Sequence, residues 1–348
     1  MKVLIIDDIL PDPGFGAGFP RAYQMLLALS SLGHEIQFYQ TYPERFKLAT
    51  RINKKALKDR QITINDELPL EPPDRVIISR PHNMFFYKDI IREFFPNTKL
   101  IYDMEALWYR RFELQQQITG ERPEWTEAYI KYDELKMAKE ADSCIIVNEQ
   151  EKNILLDDGI KEVHILGHTV KRNRNGKTFK DRDNFLIVGG DLNQGTPNED
   201  STHWFIQNCW PKINKSTLVV TGVNKSDRLK QLEEKDVEFI GYATNLSDYY
   251  QACKVHVTGT RFATGIPLKV IEAMANGIPC VISSLLGDQL GIKNEALVAK
   301  NEDDFISSCN NLYNDENLWN TTRNNAFGLI EQKFNLENFT KKTEEILA

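Results

Sequence analysis

The sequence lacks what several protein classes require. Its 348 residues hold only five cysteines, at 144, 209, 253, 280 and 309, with no pair in CxxC spacing. An odd, scattered set, partly inside apolar runs such as Ser143–Val147 and Pro279–Ser283, speaks against a disulfide framework and reads as buried, reduced thiols. No apolar run approaches the ~20 residues that span a bilayer. The opening MKVLIIDD is closed at once by Asp7 and Asp8, which leaves it too short for a signal peptide. Positive charge is also scarce. Lys and Arg number 43 against 50 Asp and Glu, and the net charge of -7 argues against nucleic acid as the main partner. These absences point to a soluble protein, expected in the cytoplasm.

What is present is an ordinary globular balance, 41% hydrophobic and 27% charged, over a length that suits about two domains. Lys2–Ile6 is a continuous apolar run of the kind buried on both faces of a parallel sheet. A Gly- and Pro-rich turn, Pro11–Pro20, leads into helical spacing over Arg21–Leu32, which Gly33 ends. Glu35–Tyr39 resumes as a strand, completing a βαβ unit. Strands are predicted at Arg75–Ser79, Leu100–Tyr102, Ser143–Val147 and Val163–Leu166, and helices at Lys88–Phe95, Glu124–Glu140 and Glu149–Asp157.

Residues 171–184 are polar and aperiodic and read as a linker. A second βα series starts at Phe185–Val188, followed by Gly189 and Gly190. The expectation is an α/β protein of two Rossmann-like domains facing each other across a cleft: residues 1–170, then 185–330. A carboxyl-terminal segment, 331–348, ends in a helix, Leu336–Leu347, expected to pack back on the first domain.

Two segments carry candidate chemistry. The first is the turn Gly14-Phe15-Gly16-Ala17-Gly18, between a buried strand and a helix start. Glycines there let backbone approach a phosphate, and free N–H groups of a helix start favour an anion. The spacing is not GxGxxG, and no acidic residue closes the second strand, which disfavours a dehydrogenase. A loop without a ligand fits the same glycines.

The second segment is RFATGIPLKVIEAMANGIPCV, from Arg261 to Val281. It leaves a strand at its carboxyl end, where ligands of open α/β sheets bind. Arg261 and Lys269 can neutralise a diphosphate, and Gly265 and Ile266 offer N–H groups beside a helix start. Glu272 stands one turn beyond Lys269 and can accept hydrogen bonds from ribose hydroxyls. On spacing alone, a Lys269–Glu272 surface pair worth roughly a few tenths of a kcal/mol fits equally well.

That second segment resembles the donor-binding signature of the GT-B glycosyltransferases, in particular glycosyltransferase family 4 (group 1). Members commonly have two glutamates separated by seven residues before AMA-x-G-x-P. Glu272 matches the second, while Thr264 stands where the first would be, as in a subgroup that lacks it. Thr264 can hydrogen-bond a sugar hydroxyl but supplies no negative charge. The opening VLIIDD…GAGFPRAYQMLLALSSLGHEI, together with KEADSCIIVNEQEKNIL, FLIVGGDLNQGTPNEDSTHWF and VEFIGYATNLSDYYQACKVHV, extends the resemblance over most of the chain.

The resemblance implies transfer of a hexosyl or deoxyhexosyl group from a nucleotide-diphosphate sugar to a hydroxyl of a glycan, lipid-linked or cell-envelope acceptor, as in polysaccharide biosynthesis. It implies no cofactor beyond that co-substrate and no metal. It places Arg261 and Lys269 on the diphosphate, Glu272 on the ribose, and the Phe239–Ala243 loop with Tyr242 on the base. Gly16, Ala17, Gly18 and Gly190 would approach the donor. Retention of configuration is implied, the leaving phosphate oxygen accepting the acceptor's proton, so that no protein base is required. The aspartate pairs at 7–8, 157–158 and 303–304 are adjacent rather than alternating, and Asp181-Arg182-Asp183 falls in the presumed linker, consistent with metal independence.

His82 and Asp103 follow strands of the first domain and, with Arg21, are candidate acceptor or sugar contacts; a loop histidine and a helix cap are the plainer readings of the first two. Acceptor-reading loops are expected near 41–70 and 104–123. The basic stretch Arg45–Arg60 offers a peripheral contact with anionic lipid at the inner membrane surface, or simply a solvated face. Trp204, Phe205 and Trp210 read as core. Two other functions share this fold and stay open: a sugar-nucleotide epimerase, and a non-catalytic subunit that binds a nucleotide sugar or a partner protein.

Overall fold

A computed structural model describes residues 1–13, 16, 18–42, 57–120, 127–213, 216–232 and 236–348, the side chains of 127–129 left aside. Ala17 and residues 45–56 of the basic stretch lie outside the described residues. The chain divides into two compact units. Unit 1 comprises Met1–Glu113, Glu121–Thr169 and Leu336–Ala348; unit 2 comprises Leu114–Gly120 and Val170–Asn335.

The first series of elements runs β1 (Lys2–Asp7), α1 (Gly18–Ser31), β2 (Glu35–Gln40), β3 (Ile62–Asn65), β4 (Arg75–Ser79), α2 (Pro81–Phe94) and β5 (Lys99–Glu105). It continues through α3 (Trp108–Thr119), α4 (Glu127–Glu140), β6 (Ser143–Ile146), α5 (Glu149–Asp157) and β7 (Val163–Ile165). The strands form one seven-stranded sheet in the order β3-β2-β1-β4-β5-β6-β7, every pair parallel.

Alternate residues of each strand serve opposite cores. Leu4, Ile6, Val76, Ile78, Leu100 and Tyr102 pack on one face, and Val3, Ile5, Ile36, Phe38, Ile77 and Ile101 on the other. Both faces being buried, these strands read as continuous apolar runs rather than alternating ones. Strand order reverses between β1 and β4, which opens the crevice of a doubly wound sheet at their carboxyl ends.

Unit 2 repeats the plan with β8 (Asp183–Leu192), α6 (Pro197–Asn208), β9 (Leu218–Asn224), α7 (Asp227–Lys230), β10 (Val237–Gly241), α8 (Leu246–Ala252) and β11 (Cys253–Thr258). Then come α9 (Leu268–Ala275), β12 (Cys280–Ser283), α10 (Ser284–Leu290), β13 (Leu297–Ala299), α11 (Glu302–Asn314) and α12 (Glu316–Lys333). Its parallel sheet is ordered β10-β9-β8-β11-β12-β13, with the switch between β8 and β11. The last helix, α13 (Leu336–Leu347), belongs to unit 1: Phe339, Ile346 and Leu347 join Leu26 and Leu29 of α1 in one core.

Several sequence expectations change here. Residues 171–184 are not a free linker. Val170 N donates to Phe334 O, Asn173 N to Ala275 O, and the buried Arg182 guanidinium to the carbonyls of Tyr250, Cys253 and Asn276, which fastens the segment to unit 2. In the same segment Thr178 donates to Asp181 and Tyr313 to Asp183. The short strands β3 and β13 went unread because three or four residues show too little periodicity. The 104–123 region contains helix α3 rather than a loop alone. All five cysteines are free and buried, and Phe205 and Trp210 are core residues. No described helix is long and apolar enough to cross a membrane.

Arg21 and Asp103 correct the sequence reading most sharply. They form a two-pronged ion pair at 2.8 and 2.9 Å, each side chain only 1% exposed, and Arg21 Nε also donates to Leu166 O. Neither is accessible to an acceptor; the pair ties α1 to β5 inside unit 1. Breaking a buried pair strands a charge, so Asp103→Ala should lower the unfolding free energy of unit 1 by about 3–5 kcal/mol. Hydrogen exchange of unit 1 peptides along a urea series would measure it. The double replacement Arg21→Met with Asp103→Leu should recover most of the loss, because no charge is then left buried.

Candidate functional site

In unit 2, the ends of β8 and β9 meet backbone to backbone. Gly190 has φ +65° and Gly222 φ +131°. A Cβ on Gly222 would lie 2.7 Å from the backbone N and O of Gly190, so only glycine allows the approach. The chain then enters α6 through Thr196, whose hydroxyl accepts from Glu199 N, with Pro197 at the first helical position.

The first turn of α6 organises the site. Asn198 Oδ1 accepts from Lys269 Nζ at 2.6 Å. Glu199, wholly buried, accepts from Ser226 Oγ at 2.6 Å and from both prongs of Arg228. Asp200 accepts from Arg261 Nε at 2.9 Å and Nη2 at 2.5 Å. Carboxylates suit this place, since the helix start carries partial positive charge. Three consecutive residues thus hold three cations that come from after β9, after β11 and from α9.

The three cations are not equivalent. Arg228 and Arg261 carry their own counterions. Among the described residues no carboxylate lies within ion-pair distance of Lys269, whose half-buried ammonium rests on a neutral amide. Burial pushes its pKa down to about 8. Glu272 turns away from Lys269 and accepts from Tyr250 Oη at 3.4 Å; burial raises its pKa, and the Tyr250 bond only partly opposes this. The surface pair expected from i, i+3 spacing is therefore absent between these two residues.

Helix α9 begins at Leu268, so Thr264, Gly265 and Ile266 lie in the loop before it, Gly265 with φ +87°. Gln289 Nε2 donates to Ala263 O and Ser283 Oγ to Thr260 O, which fixes this loop. Tyr242 is 71% exposed just past β10. Residues Asn198, Glu199, Asp200 and Arg228 were missed by sequence reading. The run TPNED announces a helix start, but nothing local says which arginines its acids will claim.

Unit 1 brings a different set to its own switch point. Asp7 ends β1 and Asp8 follows it, Arg80, His82 and Asn83 follow β4, and Glu105 ends β5. Asp7, 1% exposed, accepts from Arg80 Nε at 2.7 Å and from Asp8 N, while its Oδ2 has no hydrogen-bond partner among the described residues. Asp8 Oδ1 is shared by His82 Nε2 at 2.6 Å and Asn83 Nδ2 at 2.8 Å. Glu105 Oε1 stands 4.0 Å from Arg80 Nη2 and is buried without a hydrogen bond among the described residues.

Burial raises Asp7 to about 7, against the pull of Arg80, and raises Glu105 in the same way. Burial alone would lower Arg80, but Asp7 and Glu105 more than offset it and hold the guanidinium charged. Arg80 and Glu105 have φ +76° and +59°, conformations costing about 1–3 kcal/mol in non-glycine residues and concentrated at functional sites. Gly18 starts α1 with the Glu105 carboxylate 3.0 Å from where its Cβ would stand. Gly16 has φ +31°, and Ala17 is not among the described residues. Of the sequence candidates here, His82 is at the site and half-exposed, Gly18 is at its edge, and Arg21 and Asp103 lie beneath it as the closed pair. Among the described residues, no three His, Cys, Asp or Glu are grouped to hold a metal ion.

Residues 182–315 match the family model described as glycosyl transferases group 1. A comparison with curated protein sequences finds no match. Solved structures match the fold over the whole chain. HepE of Anabaena, in complex with UDP and glucose, has TM-score 0.73 and 12% identity, covering 100% of this chain and 99% of its own. Sucrose-phosphate synthase from Thermosynechococcus elongatus has TM-score 0.71 and 14% identity, covering 99% and 98%. WaaG, a glycosyltransferase involved in lipopolysaccharide biosynthesis, has TM-score 0.67 and 12% identity, covering 100% and 98%. Residues 182–315 thus match the group 1 glycosyl transferases, and the chain has the GT-B fold of these structures along its length.

Proposed function

We propose that the chain transfers a hexosyl or deoxyhexosyl group from a nucleotide-diphosphate sugar to a glycan hydroxyl, with retention and without a metal ion. One observation carries this reading: Lys269 is the cation of the unit 2 site that has no carboxylate of its own among the described residues. A diphosphate supplies the missing charge. Arg261, held by Asp200 on the same side of the sheet, adds a second, already compensated cation. Glu272 takes the ribose hydroxyls, Thr264, Gly265 and Ile266 the donor sugar and phosphates, and Tyr242 the base. HepE, with the same fold, is a UDP and glucose complex, which supports a uridine diphosphate donor.

The chemistry follows the charge. As the glycosidic bond breaks, the anomeric carbon becomes cation-like and negative charge grows on the leaving diphosphate. A fixed ammonium placed there binds the transition state more tightly than the ground state. The leaving phosphate oxygen then accepts the proton of the attacking hydroxyl, and the new C–O bond forms on the face the diphosphate leaves. The amide of Asn198 orients the Lys269 ammonium without cancelling its charge.

Two outcomes test this. Lys269→Ala should lower transfer more than about tenfold at saturating acceptor, as product-forming rate, because the lost contact is made chiefly in the transition state. Unchanged transfer would remove Lys269 from the mechanism, and EDTA should leave the wild-type rate intact. Second, UDP affinity measured by titration calorimetry should be full below pH 8 and fall as pH rises through it. The sign follows from a free-state pKa of about 8: the ammonium is charged below that value, and UDP binds the charged form. A pH-independent affinity between 6 and 9 would contradict the assignment, and no UDP binding at all would end the donor-site reading.

A further inference from the structure

Helix α2 of unit 1 leaves an apolar face uncovered. Phe85, Phe86 and Phe94 are 62%, 58% and 69% exposed, and Ile90 is 36% exposed. The inner side of the helix is fixed. Met84 and Ile91 lie in the core, Lys88 pairs with Glu140 at 2.9 Å, and Arg92 pairs with Asp142 at 3.1 Å. Single apolar residues scattered over a surface are ordinary, but four on one helix of 14 residues form a patch. A fully exposed phenylalanine presents roughly 200 Å², so these four side chains show about 400 Å² per chain. That reaches the size of the largest apolar patch on a typical monomer, which often marks an interaction site.

We propose that a second copy of this chain covers the face, the two α2 helices pairing about a two-fold axis at Ile90. Spacing carries the symmetry. Phe86, Ile90 and Phe94 stand at i, i+4 and i+8 and form one ridge along the helix. The ridge reads Phe-Ile-Phe in both directions. Antiparallel pairing about Ile90 therefore sets Phe86 of each copy beside Phe94 of the other, the self-complementarity that a two-fold contact requires. Ridges of this i±4 kind interdigitate in the commonest class of helix pair. The area is of the right order. Two copies withdraw about 800 Å² from these side chains, against about 1,000 Å² for a specific interface, and the polar rim supplies the remainder. The sign of that rim decides against a lipid surface. Asp89, 83% exposed, and the exposed Glu93 flank the ridge, while Lys88 and Arg92 are engaged by Asp89, Glu140 and Asp142. Anionic headgroups would be repelled there. Between two copies the rim acids are screened by salt.

The test is analytical ultracentrifugation of the full chain over about 1–100 µM, where a monomer–dimer equilibrium should appear. Phe86→Gln combined with Phe94→Gln should raise the dissociation constant at least about tenfold. Both side chains are exposed, and an unchanged circular dichroism melting curve shows that the variant is folded. Raising NaCl from about 0.15 to 0.5 M should leave the dimer as tight or tighter. Ile90→Cys should cross-link to its own copy under a mild oxidant, since the five native cysteines are buried. A monomer at every concentration overturns the inference. So does a dimer that the double variant leaves intact, one that salt dissociates, or one in which Ile90→Cys does not cross-link. Flotation of the wild type with phosphatidylglycerol vesicles, lost in the double variant, overturns it in favour of a lipid surface.

Discussion

Asn198, Glu199 and Asp200, in the first turn of α6, decide the electrostatics of unit 2. The helix start stabilises the two acids, and each then closes an arginine into a pair. The third residue of the run is an amide, and that difference matters most. A carboxylate at 198 would neutralise Lys269 as its neighbours neutralise Arg228 and Arg261. The amide positions the ammonium and leaves its charge uncompensated. The cost appears as a pKa lowered to about 8, the free-energy signature of a charge that gains by meeting an anion. Glycines at 190 and 222 let the β8 and β9 ends close up beside this turn.

Unit 1 solves the same accounting with the opposite sign. Its deep arginine, Arg21, is fully matched by Asp103, whereas its shallower one, Arg80, is contested by more carboxylates than it can satisfy. Burial outweighs the pull of Arg80, so Asp7 and Glu105 hold protons more tightly than usual. The positive φ values of Arg80 and Glu105 bring both side chains to the sheet's switch point and are held by the surrounding contacts, Arg80 N donating to Asp103 O among them.

The alternation of strands and helices was legible in the sequence because strands buried on both faces leave unbroken apolar runs, as in Lys2–Asp7 and Arg75–Ser79. Helices with capping residues were equally plain; Asn148 before Glu149–Asp157 is one case. Lys269 and Glu272 stand out in the sequence because they share one compact local segment, Arg261–Val281. Pairings between distant residues could not be read. Asp200 meets Arg261 and Arg80 meets Asp7 only through sheet order, and neither partner shows a local sign of the other. For the same reason Arg21 and Asp103 looked available, since a polar residue after a strand has the same spelling whether it ends buried or exposed.

Thr264 gains meaning from this distribution of charge. A carboxylate in its place would add a negative charge to the loop before α9, and a neutral hydroxyl adds none. The raised pKa values of Asp7 and Glu105 follow instead from burial, which outweighs the pull of Arg80. The contrast between Lys269, on a neutral amide, and the paired Arg228 and Arg261 thus arises from residues that no single motif connects.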